Sequence, residues 1–223
     1  TNSFLSFFPK ISLILNVDAD HLDFFKDIDD IRHSFHAFGK LLPTDGTLII
    51  NADTPKYEDI VEGLACEVLT YGLEQEADYR AQDITFNELG HPSFTCLFRG
   101  EAIGSFTLHI PGMHNVSNAL ATIALARKLG LDTTTIQDGF TSFTGTDRRF
   151  QYKGKVGEVT VIDDYAHHPT EITATLKAAK NYPHKTTWCV FQPHTYTRTK
   201  ALLGDFAKAL TLADKVVLVD IYA

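Results

Sequence analysis

The sequence predicts an α/β protein: a parallel-sheet domain that carries an antiparallel β meander, followed by the start of a second α/β domain. Three observations predict it. Short apolar runs alternate with helix-period segments over residues 11–72, the rhythm of strands joined by helical crossovers. Residues 78–110 hold three strand-like runs split by Gly-His-Pro and Arg-Gly-Glu, as a meander requires. After the polar, basic stretch GTDRRFQYKG, strand and helix patterns alternate again.

Each element has a local reason. ISLILNV (residues 11–17) is apolar on both faces, fit for a buried parallel strand. DIDDIRHSFHAFGKLL places Ile28, Ile31, Phe35 and Phe38 at helical spacing behind acidic residues that suit a helix N-terminus. TLIINAD (residues 47–53), YEDIVEGL and CEVLTYG read as strand, helix and strand. DYRAQDITFNEL, SFTCLFRG and EAIGSFTLHI form the meander. A long helix over residues 115–128 offers Val116, Leu120, Ile123 and Leu125 for burial and stops at Gly130, and a second helix covers residues 135–142. GTDRRFQYKG marks a domain boundary near residue 147. Beyond it lie VGEVTVIDDY, a helix, TTWCVFQ, a helix over residues 197–210, and KVVLVDIY, read as a second α/β sheet.

Composition narrows the function. Hydrophobic residues make up 44% of the 223, enough for a packed core. Twenty Lys+Arg against 28 Asp+Glu give a net charge of −8, which argues against a nucleic-acid or anionic-membrane partner. No run reaches the roughly 18 apolar residues of a membrane span. The apolar start lacks the basic region and small-residue cleavage site of a signal peptide. Cys66, Cys96 and Cys189 form no CxxC pair and read as reduced core residues of a cytoplasmic protein, with neither disulfide nor zinc site. The sequence has no initiator Met and stops at an apolar strand, so it is expected to be a piece of a longer protein.

Three polar clusters follow strands, where open α/β sheets bind ligands. In NVDADHLD, His21 lies among Asp18, Asp20 and Asp23, either a partial shell for Mg²⁺ or Mn²⁺ or a turn whose aspartates cap backbone N–H groups. In DDYAHHPTEI, Asp163 and Asp164 precede Tyr165, His167 and His168. A strand-end carboxylate suits a ribose hydroxyl and imidazoles suit an anionic substrate; alternatively Asp164 caps the next helix and one His packs beneath the turn. In QPHTYTRTK, His194, Tyr196 and Arg198 open a helix that either holds an anion or is capped by Thr195 or Thr197. Two further motifs lie elsewhere. PGMHNVSNAL sets Asn115 and Asn118 on one helix face beside His114, carboxamides that fit a purine edge unless Asn115 is simply the helix cap. Arg148 and Arg149 in GTDRRFQ are surface charge or a clamp for phosphate or carboxylate.

NVDADHLDFF, PGMHNVSNALATIA, GTDRRFQ, DDYAHHPTEI and VFQPHTYTRT occur in the order and context of the Mur ligases, which the sequence resembles over Thr1–Ala223. The resemblance is strongest to the members that join L-alanine to UDP-N-acetylmuramate. It implies an ATP-dependent amide ligase of peptidoglycan synthesis, and so of cell-wall building, cell shape and division. It also implies a central ATP-binding domain in residues 1–147 and the first part of a Rossmann-like C-terminal domain in residues 148–223. ATP would phosphorylate the UDP-N-acetylmuramate carboxylate, and the L-alanine amine would displace phosphate from the acyl phosphate. The resemblance makes His21 a ligand for Mg²⁺ (or Mn²⁺). Asn115 and Asn118 read adenine with His114 beside them, Arg149 approaches the nucleotide phosphates, and Asp164 takes the ribose. Tyr165, His167, His168, His194 and Arg198 face the substrates, and Arg149, His167 and His168 are the catalytic candidates. Against what the resemblance implies, this sequence lacks the Gly-rich GTHGKT-type phosphate loop, the UDP-binding domain, the metal-binding Glu expected a few residues before Thr1 and the tail of the C-terminal domain, and it has Thr195 where the family form has Arg. The branch that recycles tripeptides shares the AHHPT block and is the nearest alternative. A non-catalytic, ligase-like binding module is another. A metal-dependent phosphohydrolase would need ligands from two domains.

The missing phosphate loop generates a test. Its backbone N–H groups and Lys hold the β- and γ-phosphates, so the isolated chain should release no phosphate from ATP with UDP-N-acetylmuramate, L-alanine and Mg²⁺. Turnover on the order of 1 s⁻¹ would show that the chain is a complete catalyst without that loop.

Overall fold

The computed structural model describes residues 2–19 and 24–222. Strands β1 (Ile11–Ile14), β2 (Thr47–Asn51) and β3 (Glu67–Gly72) are parallel, joined through helices α1 (Ile28–Gly39) and α2 (Glu58–Val61). Leu48, Ile49 and Ile50 of β2 have no exposed surface, which is what a strand covered on both faces requires. One face packs Ile14, Leu48, Ile50 and Ile60 against Phe35, Phe38 and Val68. Each fully buried aliphatic side chain contributes about 1.5–3 kcal/mol of transfer free energy. Helix α1 starts where its acidic run predicts: Asp27 Oδ1 accepts the N–H groups of Asp29 and Asp30 at 3.1 and 3.0 Å.

Strands β4 (Tyr79–Phe86), β5 (Pro92–Phe98) and β6 (Glu101–Thr107) extend the sheet in the order β1 to β6. The dipeptide Arg99-Gly100 joins β5 to β6 with φ of 51° and 86°, the left-handed pair of a tight hairpin turn. Hydroxyl contacts Ser93–Thr107 at 2.9 Å and Thr95–Ser105 at 3.4 Å run in opposite senses along the two strands, as antiparallel pairing demands.

The pairing of β4 with β3 is parallel, through Tyr71↔Tyr79 and Gly72↔Arg80, and the sequence does not announce it. Parallel crossovers ordinarily take a dozen or more residues. Here residues 73–78 suffice, because the Asp53 carboxylate gathers the loop. It accepts the N–H groups of Leu73, Glu74 and Gln75 at 2.7, 3.1 and 2.8 Å.

Helix α3 (Met113–Lys128) is followed by α4 (Thr133–Ser142). Val116, Leu120 and Ile123 are buried as their spacing predicts, whereas Leu125 is only half-buried. No helix among the described residues is long and apolar enough to cross a membrane. Cys66 and Cys96 are buried; burial pushes the Cys96 thiol up to about 12, as befits an inert core residue.

The last third of the chain corrects two expectations. Residues 151–163 are not a loop and one strand of a parallel sheet. Strands β7 (Gln151–Val156) and β8 (Val159–Asp163) form an antiparallel hairpin. Gly157, at φ 58°, opens the connection, and a two-residue link between strands permits only a hairpin. A bulge between Tyr152 and Gly154 shifts the register. After α5 (Pro169–Lys180), β9 (Trp188–Phe191) pairs in parallel with β10 (Lys215–Leu218) as a separate two-stranded sheet. The single helix expected between them is two, α6 (Tyr196–Ala201) and α7 (Leu203–Leu210). Ile172 and Leu176 of α5 share a core with Phe191, Phe206 and Leu210.

By packing, the chain divides into two compact units that interleave in sequence. One comprises Thr1–Asp83, Phe94–Phe106 and Ser117–Ile136; the other comprises Ile84–Ser93, Thr107–Val116 and Gln137–Ala223. All the contacts described next lie within the second.

Replacing Asp53 by Ala removes three charge-assisted bonds from the β3–β4 loop. The cost should be about 2–3 kcal/mol, read as a lower midpoint in urea unfolding. A change within about 0.5 kcal/mol, typical of a surface position, would remove Asp53 as the cause of the short crossover.

Candidate functional site

The turn between β8 and α5 is built on carboxylates that grip backbone amides. Asp164 Oδ2 accepts the Phe150 N–H at 2.8 Å, and Oδ1 accepts the Ala166 N–H at 2.8 Å. The first bond ties the turn to the linker before β7; the second closes an Asx turn. Asp164 therefore does not cap α5. That role falls to His168, which is buried at 8% exposure and whose Nδ1 accepts the Thr170 N–H at 3.3 Å. Glu171 completes a capping box: its Oε2 accepts the N–H groups of His167 and His168 at 2.9 and 3.2 Å. Pro169, at the first helical position, suits this start.

The two histidines thus divide. His168 uses Nδ1 as an acceptor, so that nitrogen carries no proton. His167 Nδ1 lies 3.0 Å from the Tyr165 carbonyl oxygen and 3.5 Å from Glu171 Oε2, contacts that place a proton on Nδ1. Its ring is one-third exposed and meets Tyr165 edge-on at 5.4 Å. Of the pair, His167 is the one whose ring reaches solvent.

The linker presents Arg148 and Arg149 beside this turn. Arg148 stacks its guanidinium 4.3 Å over the Tyr165 ring and lies 3.7 Å from Asp163. Arg149 Nη1 lies 3.9 Å from Glu171 Oε1. Arg148 and Phe150 both hold positive φ, 58° and 46°, unusual for residues with side chains. The residue between them is consequently held in a defined direction.

His114 joins the same group. Burial holds its imidazole below the ordinary histidine value, the Asp164 charge pulls it up, and the Arg149 charge pushes it down. Its outer surface stays exposed. The ring packs on Gly112, where an added Cβ would sit 2.6 Å from His114 Cε1 and 3.1 Å from Ala178 Cβ; at φ 105° only glycine fits. Asn115 is not a cap, because α3 begins at Met113. Its carboxamide instead donates to the Pro111 carbonyl at 2.8 Å. Asn118 lies one turn further along α3, exposed.

His194 is placed by different contacts. It bridges to Tyr222, and their rings stack at 5.5 Å. Thr195 precedes α6 but makes no side-chain capping bond; its φ of 66° is an outlier for a β-branched residue. Arg198 is half-buried on α6, and Tyr196 is exposed. His21, the metal-ligand candidate, lies outside the described residues. Among the described residues no group of three or more His, Cys, Asp or Glu side chains could hold a metal ion, so they do not by themselves fit one.

Sequence reasoning missed Glu171, which touches more of this cluster than any candidate it named. The signal was present: an acidic residue three positions after a residue that immediately precedes a proline is a capping-box spacing. A histidine in the place usual for Ser or Thr concealed it.

Comparison with known proteins identifies the family. The Mur ligase middle domain matches residues 3–126, and the Mur ligase, glutamate ligase domain matches residues 148–221. The chain belongs to the Mur ligase family. It is 57% identical to the UDP-N-acetylmuramate–L-alanine ligase of Lachnospira eligens and 55% identical to that of Agathobacter rectalis, over 100% of this chain and 49% of each relative. It therefore spans about half the length of the curated relatives it matches. Among solved structures, the UDP-N-acetylmuramate-alanine ligase of Thermotoga maritima superposes with a TM-score of 0.79 at 30% identity, over 99% of this chain and 48% of that one. The murein peptide ligase of Psychrobacter arcticus gives 0.68 at 28%, over 96% and 44%.

For this Mur ligase the convergence of His114, Arg149 and Asp164 is testable without turnover. His114 starts below the usual 6.5, so the stability linked to it is fully present above about pH 6.5 and is lost as pH falls through its depressed folded value. Asp164→Asn should lower the His114 pKa further, and Arg149→Ala should raise it, both read from the ring-proton titration by NMR. Asp164→Asn should also cost about 1.5–3 kcal/mol, because an amide can keep only one of the two backbone bonds. Unmoved His114 titration in both variants would separate the three side chains.

Proposed function

We propose that this chain is the central and first C-terminal part of an ATP-dependent ligase that joins L-alanine to UDP-N-acetylmuramate in cytoplasmic peptidoglycan precursor synthesis. The observation that carries the reading is that Arg149 and Asp164, from two other segments, lie near enough for their charges to act on the His114 imidazole. Residues 1–147 and 148–223 are proposed as the two domains.

The chemistry suits such a cluster. The γ-phosphoryl group of ATP passes to the carboxylate of UDP-N-acetylmuramate, giving ADP and an acyl phosphate. The L-alanine amine attacks the acyl carbon, the C–N bond forms, and phosphate leaves with the C–O bond. Negative charge is crowded at every stage, so the protein's task is placement and charge stabilisation. Arg149 is assigned to the nucleotide phosphates. Asp164 is assigned to the ribose: each of its oxygens already takes one amide, but a carboxylate has about four acceptor sites, so a hydroxyl can still be bound. Asn115 and Asn118 are assigned to the adenine. Tyr165, His167, His194 and Arg198 are assigned to the substrate side, and His168 to holding the turn. Mg²⁺ or Mn²⁺ belongs to the proposal through His21 alone, and no step above is routed through it.

The identities of 57% and 55% to L-alanine ligases favour this branch over tripeptide recycling. The full-length protein decides the matter. Phosphate release should require ATP and UDP-N-acetylmuramate and be driven by L-alanine. Release driven instead by the tripeptide L-alanyl-γ-D-glutamyl-diaminopimelate, with L-alanine inert, would move the protein to the recycling branch.

A further inference from the structure

We infer that Glu171 is a positioning residue for Arg149, aiming its guanidinium while also holding the turn that carries His167. The inference rests on the assignment of Arg149 to the nucleotide phosphates. It comes from how the carboxylate divides its work. Oε2 takes both backbone amides, from His167 and His168, and lies 3.5 Å from His167 Nδ1. Oε1 faces the Arg149 guanidinium at 3.9 Å. One oxygen is structural, and the other is directed at the mobile end of a long side chain.

Arg149 needs such a partner. Its backbone direction is set by the left-handed Arg148 and Phe150 and by the Phe150 N–H bond to Asp164. Its side chain is more than half exposed, so several rotatable bonds remain to be ordered. Arg148 has found its own partners in Tyr165 and Asp163 and does not compete. A half-exposed ion pair adds little stability. It can still narrow the orientations a guanidinium samples before an anionic ligand arrives, which is preorganisation.

The division between oxygens makes the test clean. In Glu171→Gln the remaining Oε can accept both amides, so the cap is kept, while an NH₂ group replaces the oxygen facing Arg149. In the full-length protein this variant should melt as wild type does. Its kcat/KM for ATP should fall about threefold to fivefold, in the range an exposed ion pair supplies. Adding it to Arg149→Ala should cause no further loss. Normal kinetics in Glu171→Gln alongside an impaired Arg149→Ala would overturn the positioning role and leave the nucleotide assignment standing. A full additional loss in the double variant would also overturn it, because Glu171 would then act independently of Arg149. If Arg149→Ala itself behaves as wild type, the nucleotide assignment fails and this inference with it. Should the amide lower the melting temperature, the cycle still reads coupling, since a purely structural defect reduces both backgrounds by the same factor.

Discussion

The second packing unit depends on one interaction: the Asp164 carboxylate holding the N–H groups of Phe150 and Ala166. These amides belong to segments on either side of the β7–β8 hairpin. Fastening them together decides where the linker passes relative to the turn, and therefore where Arg148 and Arg149 emerge. Arg148 can stack on Tyr165, and Arg149 can approach Glu171, only because that crossing is fixed. The charge of the same carboxylate then acts on His114, whose ring lies against Gly112, itself close to Ala178 of α5.

This resolves an apparent conflict between structural and ligand-binding readings of one residue. An ionised carboxylate is an acceptor with more sites than two amides consume. Spending one site per oxygen on the backbone immobilises the group, and an immobilised acceptor loses less entropy on meeting a hydroxyl. Glu171 repeats the arrangement with its oxygens differentiated. In both cases backbone amides supply the rigidity, and the remaining lone pairs are left for the proposed roles.

Much of this was legible in the sequence, and the failures have identifiable causes. The parallel β1–β3 run follows from apolar strands alternating with helix-period segments, and the Arg99-Gly100 hairpin follows from its turn chemistry. The β7–β8 hairpin was lost because no position of Gln151–Val156 is buried and even its apolar Tyr152 and Val156 are exposed, so a strand in a small solvated hairpin has no buried face to advertise. The parallel β3–β4 pairing was lost because its cause, Asp53, lies some twenty residues before the loop it organises. Within the site, His114, Arg149 and Asp164 stood out by residue type, whereas Glu171 looked like an ordinary acidic residue in a first helical turn. The division of labour between His167 and His168 depends on tautomers set by neighbouring backbone groups, which no adjacent pair of letters can express.

Backbone strain adds a last step. Arg148, Phe150 and Thr195 all occupy positive φ without being glycine, and Thr195 is β-branched as well. Such conformations cost on the order of 1–3 kcal/mol each, and they persist only where surrounding contacts over-determine them. For Arg148 and Phe150 those contacts are on view: the Arg148 carbonyl accepts the Tyr165 N–H at 2.8 Å, and the Phe150 N–H is held by Asp164. For Thr195 the N–H is taken by the Tyr222 carbonyl at 2.8 Å, and its own carbonyl accepts the Thr199 hydroxyl at 2.8 Å. Glycine at any of these positions would relax the strain but would free the direction of the neighbouring side chain: Arg149 between the first two, His194 before the third. Lys56, Asp83 and Arg99 hold positive φ as well, away from the site; Arg148, Phe150 and Thr195 differ in flanking candidate ligand-facing residues, and there the strain fixes a neighbour's backbone direction rather than serving the strained side chain itself.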